Sequence, residues 1–178
     1  MIETLISSKT RVKLLLKFFL NGKTSAYLRS LESEFGDSTN SIRLELNRFE
    51  EAGMLTSFNQ GNKKYFQANT SHPLYAEINS IVMKYIGFDK IIDDVIERLG
   101  YVQKVFVIGD FAKGLDSQII DLLFIGEINK PYLIKLIDKV EDIISRKVRY
   151  VVYRKEEEVN WPSYTEAPLL LWTKEVNE

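Results

Sequence analysis

The chain has no cysteine, one histidine and four prolines among its 178 residues. Without cysteine, disulfides and thiolate zinc sites are excluded, and the composition fits a reducing cytoplasm. The single histidine, His72, stands beside Pro73, where capping or packing is a better use for it than catalysis. No Ser/His/Asp constellation with any specificity can be assembled around it. No uninterrupted apolar run approaches the roughly 18 residues of a membrane span. Met1 to Lys9 lacks the long apolar core of a signal peptide. These absences predict a soluble cytoplasmic protein without a membrane partner. What is present is 45% hydrophobic and 28% charged residues, the balance of a globular chain.

A chain of this length accommodates one ordinary domain or two small ones. The net charge of −1 is unevenly spread. Residues 1–71 carry ten basic against seven acidic side chains (+3), and residues 72–178 carry fourteen against eighteen (−4). A basic first part beside an acidic second part suits a reader of nucleic acid joined to a domain that does not bind it. The excess is small, so two copies acting together are expected.

The stretch from Tyr27 to Phe66 is the most informative. Tyr27 to Phe35 reads as a helix stopped by Gly36, a residue that takes the left-handed conformation common at helix ends. Ser38 is a good N-cap for a second helix, in which Ile42, Leu46 and Phe49 recur at helical spacing up to Glu51. Leu55–Phe58 and Lys64–Ala68 are then two strand-like runs around the turn Asn59-Gln60-Gly61-Asn62. Preceded by a helix over Lys9–Leu20, this is the layout of a winged helix-turn-helix, whose second helix usually enters the major groove of DNA.

With Ile42 at the centre of the buried stripe, Asn40, Arg43 and Asn47 fall on the opposite face. Arginine can fork onto guanine and asparagine can pair twice with adenine. Ser38 and Thr39 lie at the helix start, where free backbone N–H groups suit a phosphate. Lys63 and Lys64, beside the turn, would reach flanking backbone. Lysines there also protect an exposed hairpin edge. Leu44, near the same polar face, suits a thymine methyl or another protein.

Beyond Ser71-His72-Pro73, with Thr70 or Ser71 as cap, a helix is expected to Gly87 and another over Asp89–Leu99. From Val102 the pattern becomes α/β: strands at Val102–Ile108, Ile119–Ile125 and Lys147–Tyr153, a helix over Pro131–Arg146, and a further strand at Leu169–Trp172. Glu156-Glu157-Glu158 reads as a solvated loop or helix start. The expected class is α+β, with a winged-helix domain over residues 1–71, linking helices over 72–100 and a small mixed-sheet domain over 101–178. The linking helices carry more apolar surface (Leu74, Ile78, Ile81, Val82, Ile91, Ile92, Val95, Ile96) than a linker needs, which predicts a homodimer contact.

Ser8-Lys9-Thr10-Arg11-Val12-Lys13-Leu14-Leu15, Tyr27-Leu28-Arg29, Asn40-Ser41-Ile42-Arg43, Leu46-Asn47-Arg48-Phe49-Glu50-Glu51-Ala52-Gly53-Met54-Leu55 and Gly61-Asn62-Lys63-Lys64-Tyr65-Phe66 resemble winged-helix regulators of the ArsR-like kind. The thiolate metal sites of some members cannot be carried over. The step His72-Pro73-Leu74-Tyr75 is similar to a subgroup in which that domain precedes a nucleotidyltransferase-like one. Val105 to Gly114, followed by Ile119 to Gly126, is similar to the minimal nucleotidyltransferase pattern. That resemblance implies strand, Gly-Ser turn, a loop ending in Lys-Gly, and a strand with Asp-x-Asp. A third acid comes from a later strand. The acids would hold two divalent ions for in-line displacement. Here Asp110 stands at the serine position, Ile119 at the first Asp position, and Val148 to Tyr153 contains no acid. Asp121 alone cannot organise such a site.

The expectation is therefore a dimeric regulator of transcription that binds double-stranded DNA through Ser38, Thr39, Asn40, Arg43, Asn47, Lys63 and Lys64. Its second domain would be a catalytically inactive nucleotidyltransferase-like scaffold or sensor, with Gly109, Asp110, Lys113 and Asp121 as a possible ligand cleft. No catalytic residue, metal or cofactor is expected, and no effector is specified. The alternatives are a nucleotidyltransferase enzyme or a winged-helix module for protein contacts.

Overall fold

The computed structural model describes residues 6–154 and 168–174. The Glu156–Glu158 run lies outside them. The chain is mixed α+β with two sheets, and it divides into two compact units. Unit 1 is residues 1–85 with Lys113–Asp116, and unit 2 is Ile86–Ala112 with residues 117–178. No helix among the described residues is long and apolar enough to cross a membrane.

Unit 1 begins with α1 (Lys9–Phe19), capped by the Ser8 hydroxyl, which accepts from the Arg11 N–H. Strand β1 (Ser25–Tyr27) leads directly into α2 (Leu28–Phe35), and α3 (Thr39–Glu51) follows a short turn. Gly36 closes α2 at a φ of 66°, with its N–H returned to the Glu32 carbonyl. Strands β2 (Leu55–Gln60) and β3 (Lys63–Ala68) form a hairpin whose last pair, Gln60–Lys63, leaves only Gly61 and Asn62 in the turn. The expected four-residue turn is thus half turn and half strand.

β1 is a correction to the sequence reading, which began a helix at Tyr27. It pairs antiparallel with β3 through Ser25–Gln67, Ala26–Phe66 and Tyr27–Tyr65, giving the order β1-β3-β2. Leu14, Phe18, Phe19, Leu31, Ile42 and Leu46 form the buried centre of the unit. The expected stripe Ile42, Leu46, Phe49 is buried, and it is joined by a carboxylate, Glu45. Glu45 binds Arg11 of α1 at 2.9 Å and Arg48 one turn on at 3.3 Å. Burial pushes its pKa up, but the bond and charge of Arg11, the Ser8 hydroxyl and the Arg48 charge together hold it below 4.5.

Helix α4 (Tyr75–Ile86) starts two residues later than the Pro73 start, because His72 makes the turn before it. The His72 Nδ1 accepts from the Leu74 N–H at 3.1 Å, and its carbonyl accepts from the Tyr75 N–H. Of the apolar residues expected to make a dimer contact, Val82, Ile91, Val95 and Ile96 are inside their own chain, whereas Leu74 and Ile81 are 55% and 52% exposed.

Unit 2 opens with a helical run built from α5 (Phe88–Ile91), a wider π-helical turn (Ile92–Ile96) and α6 (Glu97–Leu99). β4 (Val102–Ile108), β5 (Ile119–Gly126), β6 (Lys147–Tyr153) and β7 (Leu169–Thr173) make a mixed sheet in the order β6-β5-β4-β7. β5 and β6 are parallel, joined by α7 (Lys130–Ile144), as a parallel pair requires a crossover. Leu133, Leu136, Ile137 and Val140 turn the buried face of α7 inward.

Candidate nucleic-acid interface

In unit 1, α3 and the β2–β3 hairpin enclose a cleft of about 610 Å³. Arg43, Leu46 and Asn47 reach it from α3, and Asn62, Lys63, Lys64 and Phe66 from the hairpin. Tyr27, Leu28 and Arg29 complete it at the β1–α2 junction. Four of these ten side chains are cationic and none is acidic. Arg29 and Arg43 are exposed, and neither has a hydrogen-bond or ion-pair partner among the described residues. Two guanidinium groups with open donors, in a lining without acidic side chains, have the chemistry to hold an anion.

The two lysines differ. Lys63 Nζ lies 4.2 Å from the centroid of the Tyr27 ring, a cation–π contact that leaves its charge unneutralised. Lys64 Nζ is 2.8 Å from Glu50 Oε2 at the end of α3, so an ion pair already engages it. The Lys64 bond, then that of the Ser57 hydroxyl, holds the Glu50 carboxyl below its usual range. Lys64 therefore has less charge to offer a ligand than Lys63.

Of the residues singled out from the sequence, Arg43, Asn47, Lys63 and Lys64 meet in this cleft, and Ser38, Thr39 and Asn40 do not line it. Ser38 caps α3, its hydroxyl accepting from the Ser41 N–H at 3.2 Å. Thr39 donates its hydroxyl to Glu32 Oε1 at 2.9 Å, which sets a carboxylate beside the helix start. Asn40 is exposed. Arg29, part of the Tyr27-Leu28-Arg29 motif, was missed as a lining residue: it belongs to the neighbouring helix, and no periodicity reveals that β1 brings its start to the hairpin.

In unit 2, Gly109 and Asp121 come together at the end of β4. A Cβ on Gly109 would lie 2.7 Å from Asp121 Oδ2, and its φ is 68°, so only glycine fits this turn without strain. Asp121 is already paired. Arg149, its register partner on β6, donates Nε to Oδ1 at 2.6 Å and Nη2 to Oδ2 at 2.8 Å. That fork is the strong geometry for an arginine–carboxylate pair. The Asp121 bond and charge, together with Asp110, hold the guanidinium more firmly protonated than usual. Lys113 is grouped with unit 1, where its carbonyl accepts from Lys17 Nζ at 2.8 Å. No group of three or more acids or histidines that could hold a metal occurs among the described residues.

No protein-family model matches the chain, and no curated protein matches it. Among solved structures it is similar to AF1382 from Archaeoglobus fulgidus, at 19% identity and a TM-score of 0.38, over 46% of this chain and 93% of that one. It is also similar to a "putative nucleotidyltransferase" from Sulfolobus solfataricus, at 22% identity and a TM-score of 0.37, over 52% of this chain and 83% of that one. At TM-scores below 0.5 neither likeness bears on function.

Proposed function

We propose that unit 1 is a winged-helix domain that binds double-stranded DNA, with α3 in the major groove and the hairpin as its wing. The observation that carries this reading is the cleft between them, lined by Arg29, Arg43, Lys63 and Lys64 and by no acidic side chain, with only Lys64 paired, to Glu50 behind the lining. Arg43 and Asn47 are the base-reading side chains; Arg29, Lys63 and, more weakly, Lys64 hold phosphates. Leu44, 52% exposed on α3, is suited to a thymine methyl.

The protein acts as a homodimeric regulator of transcription in this reading. Leu74, just before α4, and Ile78 and Ile81 on it, spaced by four and three residues, are the stripe through which two copies pair. The second unit is a nucleotidyltransferase-like fold that serves as scaffold or sensor and transfers no nucleotide, because Arg149 occupies the one carboxylate left of the expected set. The test is a fluorescence-anisotropy titration of the full chain with duplexes selected from a random pool. Arg43→Ala is expected to weaken the selected duplex by about 1–3 kcal/mol and to relax the preference for it. Equal binding of the selected and random duplexes by the wild type would defeat the regulator reading.

A further inference from the structure

The outer face of the first sheet carries a row of three aromatic rings, of which only Tyr27 also lines the cleft. Tyr27 on β1 pairs with Tyr65 on β3, and Tyr65 pairs with Phe58 on β2, so three strands contribute one ring each. The Tyr27 and Tyr65 ring centroids are 5.2 Å apart, and those of Tyr65 and Phe58 are 5.6 Å apart with planes only 13° from parallel. Phe66, the next residue along β3, is buried on the opposite face, as the alternation of a strand demands. Among the described residues β2 is an edge strand of this sheet, and its Phe58 is 43% exposed. At the other end Lys63 caps the Tyr27 ring. The row thus ends in a cation on one side and an open ring on the other.

Cross-strand aromatic pairs stabilise a sheet, and that accounts for the contacts among the rings. It does not account for an apolar ring left open on an edge strand, where natural sheets usually place charge. The partner such a surface fits is planar, aromatic and attached to negative charge. The sequence from Ala52 to Ala76 contains no aspartate or glutamate, and its only charged side chains are Lys63 and Lys64. We propose that Phe58, Tyr65 and Tyr27 form a stacking platform for an unpaired base, so that the protein prefers a duplex adjoining a single-stranded segment to a blunt one. This rests on the DNA reading above: Lys63 belongs both to the cleft and to the end of the row, and it would hold the phosphate where the two meet. A base on the outer face of Phe58 would extend the stack by one ring without repelling any side chain of the hairpin.

The experiment titrates the full chain with a labelled blunt duplex and with the same duplex carrying a short unpaired overhang containing 2-aminopurine. The overhang is expected to raise affinity at least about fivefold and to quench the 2-aminopurine on binding. Phe58→Leu, which keeps an apolar side chain, should abolish both effects while leaving the blunt duplex unchanged. Phe58→Tyr should restore them, which excludes misfolding as the cause. Equal affinity of the wild type for the two DNAs, or a preference that survives Phe58→Leu, overturns the platform and leaves the duplex reading standing. So does a change of molecular mass in Phe58→Leu, which would assign the ring to protein association. Failure to bind either DNA overturns the duplex reading and the platform with it.

Discussion

Arg149 holds both carboxylate oxygens of Asp121, at 2.6 and 2.8 Å, directly across the parallel β5–β6 pair. A guanidinium therefore already engages both oxygens with which Asp121 could hold a cation. The charge needed to satisfy Asp121 is supplied by the protein itself. Labelled nucleoside triphosphates with Mg²⁺ or Mn²⁺ and candidate acceptors are predicted to give no transfer. Transfer that disappears in Asp121→Ala would promote the enzyme reading instead.

The buried carboxylate of unit 1 should give the fold an acid limit. The Glu45 pKa lies below its ordinary 4.5, and that of Asp37 below 3.8: burial raises Asp37, while the bonds of Lys13 and Thr10 and the Lys13 charge outweigh it. For acids whose folded pKa is depressed, the stabilisation is complete above the unfolded value and is lost as pH falls through the folded one. Melting temperature is thus predicted to be flat above about pH 5 and to fall below about pH 4.5. Glu45→Gln should cost about 2 kcal/mol at neutral pH and flatten the acid slope. An unchanged slope would remove Glu45 from the account.

Lys63 and Lys64 are neighbours in sequence with unequal roles. Lys64 is already paired with Glu50, whereas Lys63 rests on the face of Tyr27. Lys63→Ala should weaken binding to every duplex and lower the salt slope by about 1. Lys64→Ala should change both by less, and the double change should act alike on all sequences. A larger effect from Lys64 would mean that the Glu50 pair opens on binding.

Self-association should depend on the exposed stripe of α4. Light scattering is predicted to give the mass of a dimer, and Ile81→Lys, at a position 52% exposed, should give a folded monomer. A wild-type mass of one chain at tens of micromolar would contradict the homodimer.

The parts legible in the sequence are those with a strong period. Ile42, Leu46 and Phe49 on α3, the strand run Lys64–Ala68 and the apolar face of α7 each follow from local pattern. β1 did not, because Ser25-Ala26-Tyr27 is too short to display alternation and Tyr27 reads equally well as a helix start. Its absence hid both Arg29 in the cleft and the aromatic row, which exist only once Tyr27 is paired with Tyr65. Arg149 was visible only as a missing acid. Its pairing with Asp121 depends on the register of two parallel strands 28 residues apart, which no local pattern carries. The widened turn at Ile92–Ile96 had no signal in a run whose apolar spacing looked helical throughout.

The central claim is that the cleft between α3 and the hairpin binds duplex DNA. The most direct measurement is the anisotropy of a selected duplex titrated with the wild type, Arg43→Ala and the Lys63→Ala/Lys64→Ala double variant at low and moderate salt. The account predicts salt-sensitive binding, a loss of about 1–3 kcal/mol for Arg43→Ala on the selected duplex alone, and a uniform loss for the double variant. Binding that none of the three changes affects would contradict it.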